Sequence, residues 1–270
     1  MLGKLVKYEF KSTTRIMWFL FAGIVVVAAL LGILIRVGIG DNPYDDFNIS
    51  PDKNLVLSIL ITALGLIYVL LLNAVAIVTT VMIVLRFYRS LLGGEGYLMH
   101  TLPVKTSNLI WSKFIVAVVW MLIAGIAAVL SAIMLGLTSG ILPQLLREIT
   151  WDEFKKILEY VFSTNGLLFM LFCIVSVFES ILTYYLSMAI GNLANKNKVL
   201  YSVLAYLGIN IGLTIILSIV GNLGGSLFEI LFTDLTFRSV IVPSILVQAA
   251  LGIVAFIGTN YILKNKLNLA

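Results

Sequence analysis

LVLSILITALGLIYVLLLNAVAIVTTVMIVL, residues Leu55–Leu85, contains no charged residue. A helix needs roughly 20 apolar residues to cross the hydrocarbon core of a bilayer, and this run exceeds that length. Hydrocarbon offers a backbone amide no partner outside its own segment, so the run is expected to be a helix. Five further runs share its character: Ile16–Ile35, Leu109–Leu142, Gly166–Ile190, Val199–Val220 and Val240–Leu263. Across 270 residues the chain is 61% hydrophobic and only 11% charged, where a soluble domain carries about 25% charged residues. The expected fold is therefore an all-α integral membrane protein, with residues 1–270 forming one domain of six transmembrane helices.

Punctuation agrees with these limits. Pro43, Pro51, Pro103 and Pro143 fall between or at the edges of runs, and Pro243 sits in the first turn of the last one, so no proline is expected in a helix interior. The first run is longer than the 7–15 apolar residues of a cleavable signal, and Arg36-Val-Gly-Ile-Gly follows it in place of a small-x-small site, so it reads as a retained span.

Charge sets the expected orientation. The N-terminus, the 86–108 and 191–198 connections, the C-terminus and Lys113 carry twelve cations against Glu9 and Glu95, a net +10. The opposite side has six cations against ten acids, a net −4, and Glu179 inside a span completes the total of +5. The positive-inside rule places both termini in the cytoplasm. The positive balance is a topology signal and gives no reason to invoke nucleic acid.

Chemistry-bearing side chains are few. One cysteine (Cys173) and one histidine (His100) support neither a metal site nor a Cys–His nucleophile. No G-x-x-x-x-G-K-[ST] occurs, so the chain has no P-loop. No connection exceeds roughly 25 residues, too short to house a soluble enzyme domain.

Residues 1–15 read as an amphipathic interfacial helix. Lys4, Lys7, Lys11 and Arg15 share one face, opposite Leu2, Leu5, Val6 and Phe10, an arrangement that lays cations against anionic headgroups. Glu9 falls in the apolar arc, either as a snorkelling or paired carboxylate or as a contact with a partner or neighbouring span. In the third span Ala124, Ala128, Ala132, Gly136 and Gly140 recur every fourth residue, a spacing that lets helix backbones approach closely within one chain or between two. Gly208 and Gly212 repeat it more briefly. On the outer side Thr150-Trp-Asp-Glu153 reads as a capping box ahead of Phe154, Ile157, Leu158 and Val161. Ser226-Leu-Phe-Glu229 reads as the start of an outer helix, Phe228–Phe237, before the sixth span. Asn48-Ile-Ser50 is a glycosylation sequon, relevant only in a eukaryotic secretory pathway.

Glu179 is the one ionisable residue deep in a span, roughly 20 Å from the outer end of its helix. An unpaired intramembrane acid costs several kcal/mol and points to function. Three readings fit it: a protonated acid hydrogen-bonded to a neighbouring helix, the lining of a polar path, or a proton carrier. Tyr184 and Tyr185 lie on the following turns.

The connection between spans two and three departs from its surroundings. Gly93–Lys113, GGEGYLMHTLPVKTSNLIWSK, gathers glycines, hydroxyls, Pro103 and the lone histidine. Tyr97, Leu98, Met99 and Leu102 are apolar residues on the expected cytoplasmic side, so either the loop packs on its own membrane face or another protein covers it. Arg86-Phe-Tyr-Arg89, Gly94-Glu95-Gly96-Tyr97-Leu98, Thr101-Leu102-Pro103-Val104 and Ser112-Lys113 resemble the signature of ABC-2 type transporter permeases, in particular the small six-span subunits of Gram-positive bacteria. Lys7-Tyr8-Glu9 and LSMAIGNLANKNK (Leu186–Lys198) are similar to that family too. The resemblance implies a non-enzymatic permease in a bacterial plasma membrane that binds no cofactor itself. It also implies pairing with a second permease chain, identical or not, and docking of a cytoplasmic ATPase subunit that holds ATP and Mg. The segment carrying Arg89, Glu95, Gly96, Tyr97, Leu98, Leu102 and Pro103 would be the coupling helix seated in that ATPase, and the N-terminal helix with Lys4, Lys7, Glu9 and Lys11 a second contact. Export is implied by the resemblance alone; the apolar interior favours a hydrophobic or amphipathic cargo.

Two other readings compete. An ion-coupled secondary transporter would use Glu179 as its proton carrier, although no inverted repeat relates the two halves. A membrane-embedded enzyme would want a second catalytic group at the depth of Glu179, and no His, Asp or Glu stands there.

Overall fold

The structure, a computed structural model, describes residues 2–39, 55–93, 96, 105–194, 196–231 and 236–266. These residues form eight α-helices and one π turn: α1 (Leu2–Ile39), α2 (Leu55–Phe87) with the π turn Tyr88–Leu92 at its end, α3 (Thr106–Ser139), α4 (Ile141–Glu148), α5 (Trp151–Val161), α6 (Thr164–Gly191), α7 (Lys198–Leu231) and α8 (Thr236–Asn265). The segments Met17–Val37, Ile59–Leu92, Thr106–Ser139, Thr164–Gly191, Lys198–Ile219 and Val240–Asn265 are long and apolar enough to cross a membrane. The chain is all-helical and fits a multi-pass membrane protein.

Several limits differ from those expected. Residues 2–15 are not a separate helix. No glycine or proline lies between Lys4 and Ala22, so nothing turns the backbone and α1 runs unbroken into the first span. The third span stops at Ser139 rather than Leu142. Gly140 adopts a φ of 83°, a left-handed conformation that ends the helix without the steric cost a Cβ would bring. Pro143 lies inside the short α4, in its first turn, where its missing N–H has no helical partner to lose. Of the expected outer helix Phe228–Phe237, residues 232–235 lie outside the described residues; 228–231 belong to α7, which continues to Leu231, and 236–237 to α8, which begins at Thr236. Ser226 and Glu229 have capping-box spacing, but the backbone before them stays helical, so there is no terminus for them to cap. Because α8 starts before Val240, Pro243 falls inside the helix and removes one backbone hydrogen bond there.

The expected box at α5 does form. The Thr150 amide and hydroxyl donate to Glu153 Oε2 at 2.9 and 3.0 Å, and the Glu153 amide donates back to Thr150 Oγ1 at 3.4 Å. Phe154, Ile157 and Leu158 on this helix remain exposed.

The chain divides into two compact units. The first comprises 1–7, 83–118 and 156–270 and is built on α6, α7 and α8, with α6 packed most extensively on α8. At Gly191 a Cβ would run into the Ser202 hydroxyl and approach the Lys198 carbonyl to 2.7 Å, so this glycine permits the tight turn between α6 and α7. Gly258 lets the side chain of Leu186 come against α8. Arg238 Nε donates to Asn165 Oδ1 at 2.8 Å, tying the first turn of α8 to the first turn of α6.

The second unit comprises 8–82 and 119–155. Met17, Phe21, Ile24, Ala28 and Leu31 are buried on α1, a spacing of three and four that makes one packed stripe. Trp120 of α3 is its anchor. The indole stacks on Phe10 with centroids 4.7 Å apart and donates to the Thr13 hydroxyl at 2.9 Å. That hydroxyl in turn donates to the Phe10 carbonyl at 3.0 Å, so both partners are satisfied. Tyr68 of α2 and Ser131 of α3 share a hydrogen bond of 2.9 Å.

The Thr150 amide, and after it the Thr150 hydroxyl, hold the Glu153 carboxyl below its ordinary value of 4.5. A carboxyl lowered by folding stabilises above its unfolded value and loses that contribution as pH falls through the lowered one. Amide-exchange protection in the first turn of α5, corrected for intrinsic rates, is therefore expected to hold above pH 4.5 and fall below it, and Glu153→Ala to remove that dependence. Gly191→Ala should destabilise the protein by about 1–3 kcal/mol in detergent unfolding, because the clash includes backbone that cannot yield. Gly212→Ala, with no atom within 4 Å of its added methyl, should be neutral or slightly stabilising.

Candidate functional site

Two features of the first unit carry polar chemistry on helices that are otherwise apolar. The first is the base of the connection between α2 and α3. The α2 ladder widens at Tyr88–Leu92 into a π turn, closed by the Gly93 amide donating to the Tyr88 carbonyl at 2.8 Å. Such single π turns are rare and recur at functional sites. Ser90, Leu91 and Leu92 are buried in it, and the Ser90 hydroxyl donates to the Arg86 carbonyl at 2.7 Å. Just before the turn, Phe87 lies flat against Tyr185 of α6, with ring centroids 4.0 Å apart and planes 10° from parallel. Both rings are buried, and such a stack adds about 0.5–1.5 kcal/mol beyond the area it covers. On the far side of the connection, Leu109, Ile110, Ser112 and Lys113 are buried in the opening turns of α3. The connection is thus pinned at both ends.

Of the residues expected to form the coupling segment, Arg89 is exposed in the π turn and Gly96 is buried, its amide bonded to the Gly93 carbonyl at 2.8 Å. Glu95, Tyr97, Leu98, Leu102 and Pro103 lie outside the described residues, as do Met99 and His100. On α1, Lys7 and Lys11 are exposed and Glu9 is half-buried; the Lys4 side chain lies outside the described residues. Ala124, Ala128 and Gly136 are half-buried and Ala132 is exposed, while along that stretch Ala127 and Ser131, one position away, are buried. Gly208 and Gly212 have no atom within 4 Å of where a Cβ would stand, so they form no seam among the described residues.

The second feature is a cleft of about 300 Å³ between α3, α6 and α8, with Glu179 on its wall. The Glu179 side chain is buried, 8% exposed. Its partner is on its own helix, not on a neighbouring one: the Thr183 hydroxyl donates to Oε1 at 2.6 Å. One turn earlier, Ser176 donates to Gln248 Oε1 of α8 at 2.8 Å. Gly252 faces Glu179: a Cβ there would stand 3.8 Å from the Glu179 Cα, at ordinary contact distance. Four rings continue the wall as a chain. Phe256 meets Trp111 at 5.5 Å, Trp111 meets Phe114 at 5.4 Å, and Phe114 meets Phe178 at 5.4 Å, the last two edge-to-face. Tyr184 points elsewhere and stacks on Tyr206 of α7 at 5.1 Å.

The polar stripe Ser176, Glu179, Thr183 follows helical spacing, but only Glu179 stood out in the sequence, by its charge. Gln248, Gly252 and the four rings did not, because nothing local says that they face it. Among the described residues no three His, Cys, Asp or Glu side chains come together.

Thr183→Val should lower stability by about 1–3 kcal/mol in detergent unfolding, since it leaves a buried acceptor without its donor. Adding Glu179→Leu should restore most of that loss, because removing both partners removes the unmet group.

No family model, curated protein or solved structure matches the chain, so what the site does rests on its own side chains.

Proposed function

We propose that the chain is the membrane-spanning permease subunit of an ATP-driven exporter of the ABC-2 type. It would pair with a second permease chain and receive its energy from separate cytoplasmic ATPase subunits. The observation that supports this reading most is the pinned loop base. An ATPase that grips the connection between α2 and α3 can do work on the spans only if that connection is stiffly joined to them. The Phe87–Tyr185 stack makes such a joint. Tyr185 stands six residues from Glu179 on one uninterrupted helix, roughly 9 Å along its axis. In this scheme ATP binding closes the ATPase pair, the connection moves, the ring stack carries the movement into α6, and the walls of the Glu179 cleft shift with it. A hydrophobic or amphipathic cargo suits walls of this composition.

The burial of Glu179 beside an open cleft also favours an ion-coupled transporter. That reading expects transport to persist without ATP, to collapse with the proton gradient and to fail in Glu179→Gln.

Co-purification with an ATPase encoded beside the gene, together with vanadate-sensitive ATP hydrolysis that depends on this chain, is the test. Recovery of a working transporter free of any ATPase sinks the exporter reading. Within the exporter, Tyr185→Leu keeps the burial and removes the stack. Transport is expected to drop about tenfold or more while the partner's ATP turnover continues, a loss of about 1.4 kcal/mol of coupling. Glu95→Arg and Tyr97→Asp should uncouple in the same way. Variants that merely fail to insert would remove the basis for assigning the connection this role.

A further inference from the structure

We infer that the Glu179 cleft is a binding site for a lipophilic organic cation. A carboxylate set in an apolar wall is costly unless something supplies the opposite charge. Among the described residues Glu179 is the only charged side chain lining the cleft, and the hydrogen bond it receives from Thr183 is neutral. Lys113 precedes Phe114 in sequence but is not among the lining residues, since at helical spacing it falls on another face of α3.

The rest of the wall selects the form of the counter-charge. Phe256, Trp111, Phe114 and Phe178 make an unbroken series of rings with centroids 5.4–5.5 Å apart. Ring faces carry negative potential and attract cations whose charge is spread over a weakly hydrated surface, tryptophan most strongly. A metal ion or a small ammonium would want more oxygen ligands than the one carboxylate and the Gln248 amide provide. An anion would meet repulsion from both the acid and the rings. A cation with an aromatic or alkyl body uses every part of the wall, and about 300 Å³ lies at the lower end of the range for small-molecule sites.

Access follows from exposure. Ile253 is 62% exposed and Trp111 45% exposed at the rim, and both belong to helices long and apolar enough to span a membrane. The ligand would therefore enter sideways from hydrocarbon, as an amphiphile does. As a substrate assignment this rests on the exporter reading; as a binding site it rests on the cleft alone.

The test uses the full chain, purified in detergent, without an ATPase. Equilibrium dialysis would compare methyltriphenylphosphonium with triphenylphosphine oxide, which has nearly the same shape and no net charge, and with the anion tetraphenylborate. Saturable binding is expected, with the phosphonium preferred by about tenfold or more over the oxide and tetraphenylborate weakest. Glu179→Gln keeps an oxygen for the Thr183 hydroxyl. It should erase the preference while leaving oxide binding unchanged. Trp111→Leu, at a partly exposed ring, should weaken phosphonium binding about three- to tenfold, and decides the matter if Glu179→Gln does not fold. Equal binding of cation and oxide, as for a cleft that lipid tails simply fill, overturns the inference. So does full phosphonium affinity in Glu179→Gln or in Trp111→Leu. Binding without ATP-driven movement would keep the site and refute the exporter, whereas ATP-driven export by a chain that binds no phosphonium would do the reverse.

Discussion

A backbone amide in hydrocarbon must find its partner within its own segment, and most of this chain's architecture follows from that demand. It makes every long apolar run a helix, and it reaches into the side chains. Hydroxyls with no water to meet fold back onto the carbonyl three or four residues earlier, as at Ser90, Ser112, Thr138 and Thr259. Each such bond lets a small polar residue sit in an apolar helix at little cost. The same demand limits where the chain can turn. Gly140 does so with a left-handed backbone, and Pro143 follows where a proline loses nothing.

With every amide already satisfied inside a helix, association between helices depends on how closely their surfaces approach. Gly32 admits α3, where a Cβ would stand 2.8 Å from the Leu135 carbonyl. Gly191 permits the turn into α7, and Gly258 lets Leu186 come against α8. Aromatic anchors hold what the glycines bring together: Trp120 against Phe10 in one unit, Tyr185 against Phe87 in the other. Small residues and rings thus divide the task, one setting distance and the other supplying contact area.

The two polar features of the first unit share α6. Tyr185 receives the base of the α2–α3 connection, and Glu179, less than two turns away, stands in the aromatic cleft. A displacement at the connection therefore has a short, continuous helical route to the acid. This proximity gives the permease proposal its physical content, because it joins a place where force would enter to a place where a ligand would sit.

Local properties were legible in the residues. Run length and apolarity determined the six long helices; Gly and Pro marked where some of them end; Thr150 and Glu153 announced the cap on α5; and Glu179 stood out because charge at that depth is expensive. Where local signals misled, a neighbour's helical momentum prevailed, as when α7 continued through Ser226 and Glu229 and α1 ran on from the amphipathic segment. Partners were the other failure. A helix that is apolar all round has no moment to mark its packed face, so the Ala124, Ala128, Ala132 ladder looked as suited to burial as Ala127 and Ser131, which took it. For the same reason the four rings, Gln248 and Gly252 gave no sign that they meet Glu179. The sequence by itself determined that an acid lies buried among apolar spans. Only the packing of α3, α6 and α8 decided that it lies in an aromatic cleft, because that depends on which faces meet and not on what any one helix contains.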